Sequence, residues 1–346
     1  MKINRQLFLD AVRKASSAIK TRTTLPVLSH LLLTDKLSVT GTDIDLYVKA
    51  SCECEGEIEP VCVPSYALLA ALSYGTEMCE VTVKAERIRV SCGPSLTIAT
   101  IPADEFPKWP DEKFVPFGVN PVDLAQCIES VAWAADTKST RGPLYESVLV
   151  RLKTKDKAIV CAAMTGTVFG YIKKPAIVPD AEFMFLATCA PQVIEAMKGE
   201  GAEVSLSPSF LRVTSPEFSV CVKLVEGSWP NIKELLTQER TPIGKVDVEA
   251  ITTQLKTIMA ISNNESLTVK VDTDKSGMAL DFRSKTNTLQ HTLGSDYGKS
   301  SFCISAEKWR QVLEHTNGDT TLSVNHSSLK VDCGDFSGVI ALIHNQ

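Results

Sequence analysis

Apolar residues recur at helical spacing in six stretches of the chain, over 4–19, 64–74, 121–135, 190–198, 247–261 and 305–316. In the first, Leu7, Ala11, Ala15 and Ile19 fall at steps of four, with Phe8 and Val12 beside them and Arg5, Arg13 and Lys14 elsewhere on the wheel. Asn4, Asn120 and Ser305 stand where an N-cap belongs, and Pro121 sits at a first-turn position. Successive starts lie about 55 to 70 residues apart, which makes an internal repeat the first reading to test.

The segments between the helices alternate between two patterns. After the second, fourth and sixth helices, runs beginning at Gly75, Gly201 and Gly318 share one grammar: a glycine stop, then three strands separated by polar turns. Val81/Val83, Ile88/Val90 and Leu96/Ile98 alternate with polar neighbours, as a sheet with one buried face requires. After the first, third and fifth helices comes a second kind of meander, with polar hairpin turns expected at 34–36, 154–157 and 272–275. The chain therefore predicts an α+β fold of three similar domains. Each has two helices and antiparallel meanders, divided as 1–115, 116–240 and 241–346, where prolines interrupt the pattern.

The net charge of −5 excludes a protein that coats nucleic acid by charge alone, while leaving room for a locally basic surface. No run approaches the roughly 20 apolar residues of a membrane span, and the first residues lack a signal peptide's apolar core, so a cytoplasmic protein is expected. Eleven cysteines are scattered without a C-x-x-C; Cys52 and Cys54 form the one close pair. They are expected to be reduced and to act as small apolar residues.

Catalytic patterns are missing. The histidines are dispersed with no metal spacing, and there is no phosphate-binding glycine loop and no nucleophile elbow. Asp43 and Asp45 invite a metal reading, but turn polarity explains them without a third ligand. No cofactor, metal or enzymatic activity is expected. Basic residues form the more suggestive set. Arg5, Arg13, Lys14, Lys20 and Arg22 cluster on or after the first helix, and Lys138 and Arg141 follow the third. If the repeats bring the helices together, these bases line one surface that holds a phosphate backbone loosely.

At three places the sequence resembles the bacterial DNA polymerase III beta subunit family, the sliding clamps. These are residues 3–46, with R-T-T-L-P and T-G-T-D; T-I-P-A-D-E-F-P-K-W-P over 100–110; and K-L-V-E-G-S-W-P-N-I-K-E-L-L over 223–236. The resemblance implies the clamp fold and a head-to-tail homodimer closing a ring around duplex DNA without sequence preference. It implies a processivity factor in DNA replication that tethers polymerase and clamp-loader peptides. A clamp-like decoy that binds clamp partners without supporting replication is the alternative.

Carried across by position, DNA contact falls on Arg22 and Arg141, with Lys138 nearby, and the basic cluster of the first helix adds Arg5, Arg13 and Lys14 as candidates. The partner-peptide pocket falls on Leu144, Met164, Gly166, Thr167, Val168, Phe169, Pro230, Glu234, Leu235, Ala341, Leu342 and Ile343. Phe106 and Ile261 are candidates for the apolar centre of the dimer contact. The chain departs from the family's pattern within the pocket. The stretch 163–170 reads A-M-T-G-T-V-F-G, and Glu234 replaces a usual base, so the groove stays apolar but exchanges its charge.

Overall fold

Asn4 starts the first helix: its side-chain oxygen accepts hydrogen bonds from the backbone N–H groups of Gln6 and Leu7, satisfying two otherwise unpaired donors. This helix, α1 (Arg5–Ser16), buries Phe8, Leu9, Ala11, Val12 and Ala15 and carries Arg13 and Lys14 in its last turn, where cations suit the helix dipole. Leu7, expected on the buried stripe, is 50% exposed. The computed structural model describes residues 1–20, 23–34, 37–137, 141–262, 267–284, 287–294 and 296–344. The other expected helices follow as α2 (Ser65–Ser73), α3 (Pro121–Ala132), α4 (Ala190–Met197), α6 (Val248–Ile261) and α7 (Ala306–Leu313). Asn120, Asp247 and Ser305 each cap the helix they precede. A short helix that the periodicity did not predict, α5 (Ile232–Thr237), lies between α4 and α6.

Helices and strands segregate into an α+β fold with four antiparallel sheets. A nine-stranded sheet runs in the order Val115–Pro116, Glu203–Leu206, Phe210–Thr214, Phe218–Lys223, Leu46–Ser51, Ser38–Thr42, His30–Leu33, Val61–Pro64 and Ile101–Pro102. An eight-stranded sheet runs Ala181–Leu186, Ser147–Lys153, Ala158–Met164, Val168–Pro175, Phe336–Ala341, Ser328–Cys333, Thr320–Val324 and Thr241–Val246. Two four-stranded sheets complete the set: Lys2–Asn4, Met78–Lys84, Arg87–Ser91 and Ser95–Ala99; and Thr288–Leu293, Gly277–Arg283, Thr268–Asp274 and Ser300–Ser305.

The chain packs as two units. The first comprises 1–125 with 189–224, and the second 126–188 with 225–346. The middle third of the sequence is thus divided. Its earlier strands belong to the eight-stranded sheet and its later ones to the nine-stranded sheet, because each meander continues a sheet begun elsewhere.

Local turns mostly follow the sequence. Gly75 ends α2's overhang at φ 140°, and a Cβ there would lie 1.8 Å from the Cys92 carbonyl oxygen. The turn at 154–157 forms as expected, whereas the one expected at 272–275 sits later, at Lys275–Ser276. The turn expected at 34–36 lies partly outside the described residues.

The cysteine expectation is corrected in one place. Cys79 and Cys92 form a disulfide, while the other nine are free. The reason is register: Glu80 pairs with Ser91, so the next residues outward stand opposite one another with Cα atoms 4.4 Å apart. Both cysteines are 1% exposed, so the bridge is sheltered. Removing a cross-link that closes a loop of this size costs about 2–3 kcal/mol. A reductant is therefore expected to lower the thermal midpoint of the wild type but not that of Cys79→Ala/Cys92→Ala, as read by differential scanning calorimetry.

Candidate functional site

The second unit carries a groove of about 380 Å³ on the eight-stranded sheet. Its floor comes from adjacent strands, with Met164 opposite Phe169 and Phe169 opposite Val339. The turn joining the first two strands is held by Thr165, whose hydroxyl accepts from the N–H groups of Thr167 and Val168 at 3.0 and 2.9 Å. Phe169 stacks on Tyr171 with ring centroids 6.2 Å apart. Beneath the groove lies an apolar cluster that includes Leu149, Ala162, Met184, Trp229 and Ile232, with Leu144 and Leu236 packed against it. α5 places Leu235 on the rim.

Of the residues expected here, Met164, Gly166, Thr167, Val168, Phe169, Leu235 and Ala341 line the groove. Leu144 supports it from the neighbouring cluster. Glu234 is exposed on α5, and Pro230, Leu342 and Ile343 are not among the lining residues. Sequence reading missed Tyr145, Gln238, Ser327, Ser328 and Val339. Val339 follows from register alone, and register needs the strand order.

Arg141, expected on the DNA side, also lines this groove. A Cβ on Gly166 would fall 1.6 Å from an Arg141 guanidinium nitrogen, so a larger residue there would displace that side chain from its present position. Its guanidinium carbon lies 5.9 Å from the centre of the Tyr145 ring.

One further residue organises the wall. Arg240 donates to the Leu235 carbonyl at 3.0 Å, the Ser328 hydroxyl at 3.1 Å and the Gln238 carbonyl at 3.2 Å. Asn325 completes the network, accepting from the N–H groups of Ser327 and Ser328 and donating to the Gln238 side chain. Burial pulls the Arg240 pKa below that of an ordinary arginine. Arg240→Ala leaves three acceptors of the wall without their donor, and the expected cost is about 2 kcal/mol. Urea unfolding measures it, and Arg240→Lys should recover only part.

The corresponding turn of the first unit is closed. Asp43 accepts from the N–H groups of Asp45 and Leu46 and pairs with Lys20 at 2.8 Å, while Asp45 pairs with Lys223 at 3.6 Å. The hydrogen bond to Asp43 raises the Lys20 pKa. Asp43 thus organises a turn, and the polarity of both aspartates belongs to that turn. Tyr47, at the position matching Phe169, meets Trp109 and Phe210 edge-on at 5.9 and 6.5 Å. Aromatic rings fill the space that the second unit leaves open.

The candidate DNA-facing bases are more engaged than their sequence suggests. Arg5 donates to the Leu72 and Thr76 carbonyls at 2.8 and 3.2 Å, which ties α1 to the end of α2. Lys14 lies 3.5 Å from Glu195 of α4 and 5.0 Å from the centre of the Phe218 ring. Arg13 remains 61% exposed, 3.8 Å from Asp10. Arg22 and Lys138 lie outside the described residues. Among the described residues, no cluster of His, Cys, Asp and Glu is arranged to hold a metal, and no helix is long and apolar enough to cross a membrane.

This arrangement of paired helices against long antiparallel sheets is the fold of the DNA sliding clamps. A clamp from Pseudomonas aeruginosa, the DNA polymerase III subunit beta, superposes with a TM-score of 0.89 at 18% identity, covering 99% of each chain. The Thermotoga maritima beta subunit gives 0.88 at 17% identity, over 100% of this chain and 99% of the other. In sequence, the beta sliding clamp of Vibrio cholerae is 24% identical over 293 residues, 80% of this chain and 79% of that one. Residues 1–110 match the family described as DNA polymerase III beta subunit, N-terminal domain, and the chain as a whole is similar to the beta sliding clamps in sequence and fold.

Proposed function

We propose that this chain is a non-catalytic processivity clamp: a homodimeric ring around duplex DNA that tethers a polymerase and accepts clamp-loader peptides in the groove of the second unit. The observation that carries the reading is the clamp fold spanning the whole chain together with that groove. Three repeats per chain, divided near 115 and 241, require two chains for a ring of six.

Dimerisation has a physical basis in the sheet edges. Ser95–Ala99 ends one four-stranded sheet and Thr288–Leu293 ends the other, each hydrogen-bonded on one side only among the described strands. Unpaired edges of this kind seek a partner strand, and joining one type to the other gives a head-to-tail contact. Phe106 is 5% exposed and packs inside its own unit, and Ile261 is half-buried at the end of α6. Leu96, 41% exposed on the Ser95–Ala99 edge, is the better-placed apolar residue for that contact. The decoy alternative has no observation in its favour.

Weak phosphate contact by a few bases suits a protein held by topology, since strong or base-specific contacts would hinder sliding. The test is retention on nicked circular DNA before and after a single cut, at moderate and high salt. A loaded ring is expected to survive salt on the intact circle and to slide off once it is linear. Equal retention on both forms would reject the encircling function.

A further inference from the structure

The two large sheets differ at a second matching place. In the second unit, Leu149 pairs with Ala162 and Ala162 with Tyr171; that face is covered by Trp229 and Ile232, which are 9% and 6% exposed. In the first unit the same ladder reads Leu32, Thr40 and Lys49, and the covering segment carries Trp109-Pro110 where the second has Trp229-Pro230. What is apolar core in one unit is, in the other, an open trough of about 440 Å³.

We propose that this trough is a second docking site, separate from the groove and independent of the clamp reading, for an acidic peptide segment of a partner protein with an apolar anchor. Three cations line it: Lys49, Lys108 and Arg212, against the single carboxylate of Asp104. Neither lysine has an ion-pair or hydrogen-bond partner among the described residues, so both charges are available. Arg212 is fixed in place, its guanidinium carbon 3.9 Å from the centre of the Phe114 ring and its Nε donating to the Ser205 hydroxyl at 3.3 Å. Trp109 and Phe106 offer an apolar seat between these charges.

Charge complementarity therefore selects a carboxylate-bearing ligand with one apolar side chain. A nucleotide fits less well. The covering segment contains Pro102, Pro107 and Pro110, which supply no N–H groups for phosphate, and Asp104 repels clustered phosphate charge.

The experiment uses the full chain and a fluorescein-labelled octapeptide of Asp, Glu and Leu, followed by anisotropy. Binding is expected to weaken about tenfold or more in Lys49→Glu/Lys108→Glu, and to be unchanged by Leu235→Ser in the other groove. The double variant's thermal midpoint should match the wild type, because Lys49 and Lys108 are both exposed. Unchanged affinity in the double variant would overturn the proposal. Equal binding of the same octapeptide with Lys in place of Asp and Glu, or displacement by ATP at lower concentration than by unlabelled peptide, would overturn it too.

Discussion

Gly41→Val is expected to destabilise the protein by about 3 kcal/mol or more, at the upper end of what overpacking costs. Gly41 lies in the strand Ser38–Thr42 directly under α1. A Cβ there would sit 2.1 Å from the Ala15 carbonyl oxygen and 2.9 Å from its carbon. Both are backbone atoms of a helix anchored by the fully buried Phe8 and Val12, so nothing nearby yields cheaply. Gly41→Ala should already show much of the loss. Gly118 is the control, because a Cβ there meets nothing within 4 Å. The urea midpoint, with an unchanged slope, is the measurement; a Gly41→Val midpoint equal to that of Gly118→Ala would mean that α1 does not press on this strand.

The second large effect concerns the groove. Phe169→Ala should weaken binding of the cognate polymerase's tail peptide by about 2 kcal/mol, or roughly thirtyfold, if the ring is the anchor for an apolar side chain. Phe169 is 4% exposed and belongs to the cluster beneath the groove, so this variant also loses stability. Leu235→Ser separates the two effects, since Leu235 is half-buried on α5 and takes a smaller part in the core. Calorimetric titration should show weaker binding in both variants, with the sedimentation coefficient unchanged from that of the wild type. Normal affinity in both would remove the groove as the partner site.

Much of the architecture was readable from residues whose chemistry acts locally. Asn4, Asn120 and Ser305 mark helix starts because a side-chain oxygen satisfies the first free N–H groups, and each does so here. Gly75 follows the end of its helix at a place where a Cβ would strike the Cys92 carbonyl. What stayed hidden depends on strand order. Cys79 and Cys92 look like isolated apolar residues until the hairpin register sets them face to face. Val339 and Ser328 join the groove only because the last strands lie beside Val168–Pro175. α5 is too short to show a period, and Arg240 gives no signal in a linear reading because its acceptors lie on both sides of the wall. Within the site, the run Met164–Phe169 was found by resemblance, but the role of Gly166 as room for Arg141 was not.

The division of the middle third bears on how the chain can be cut. The repeat visible in the sequence and the segments that cohere in three dimensions are out of phase by half a repeat. A fragment ending near residue 115 would lose the strand Phe218–Lys223, leaving Leu46–Ser51 bare along a ladder that runs from Leu46 to Ala50. An isolated middle repeat would expose two such ladders at once, one toward each large sheet. Repeats of this chain are therefore poor modules for excision or shuffling. A viable exchange has to carry the halves that complete each other's sheets.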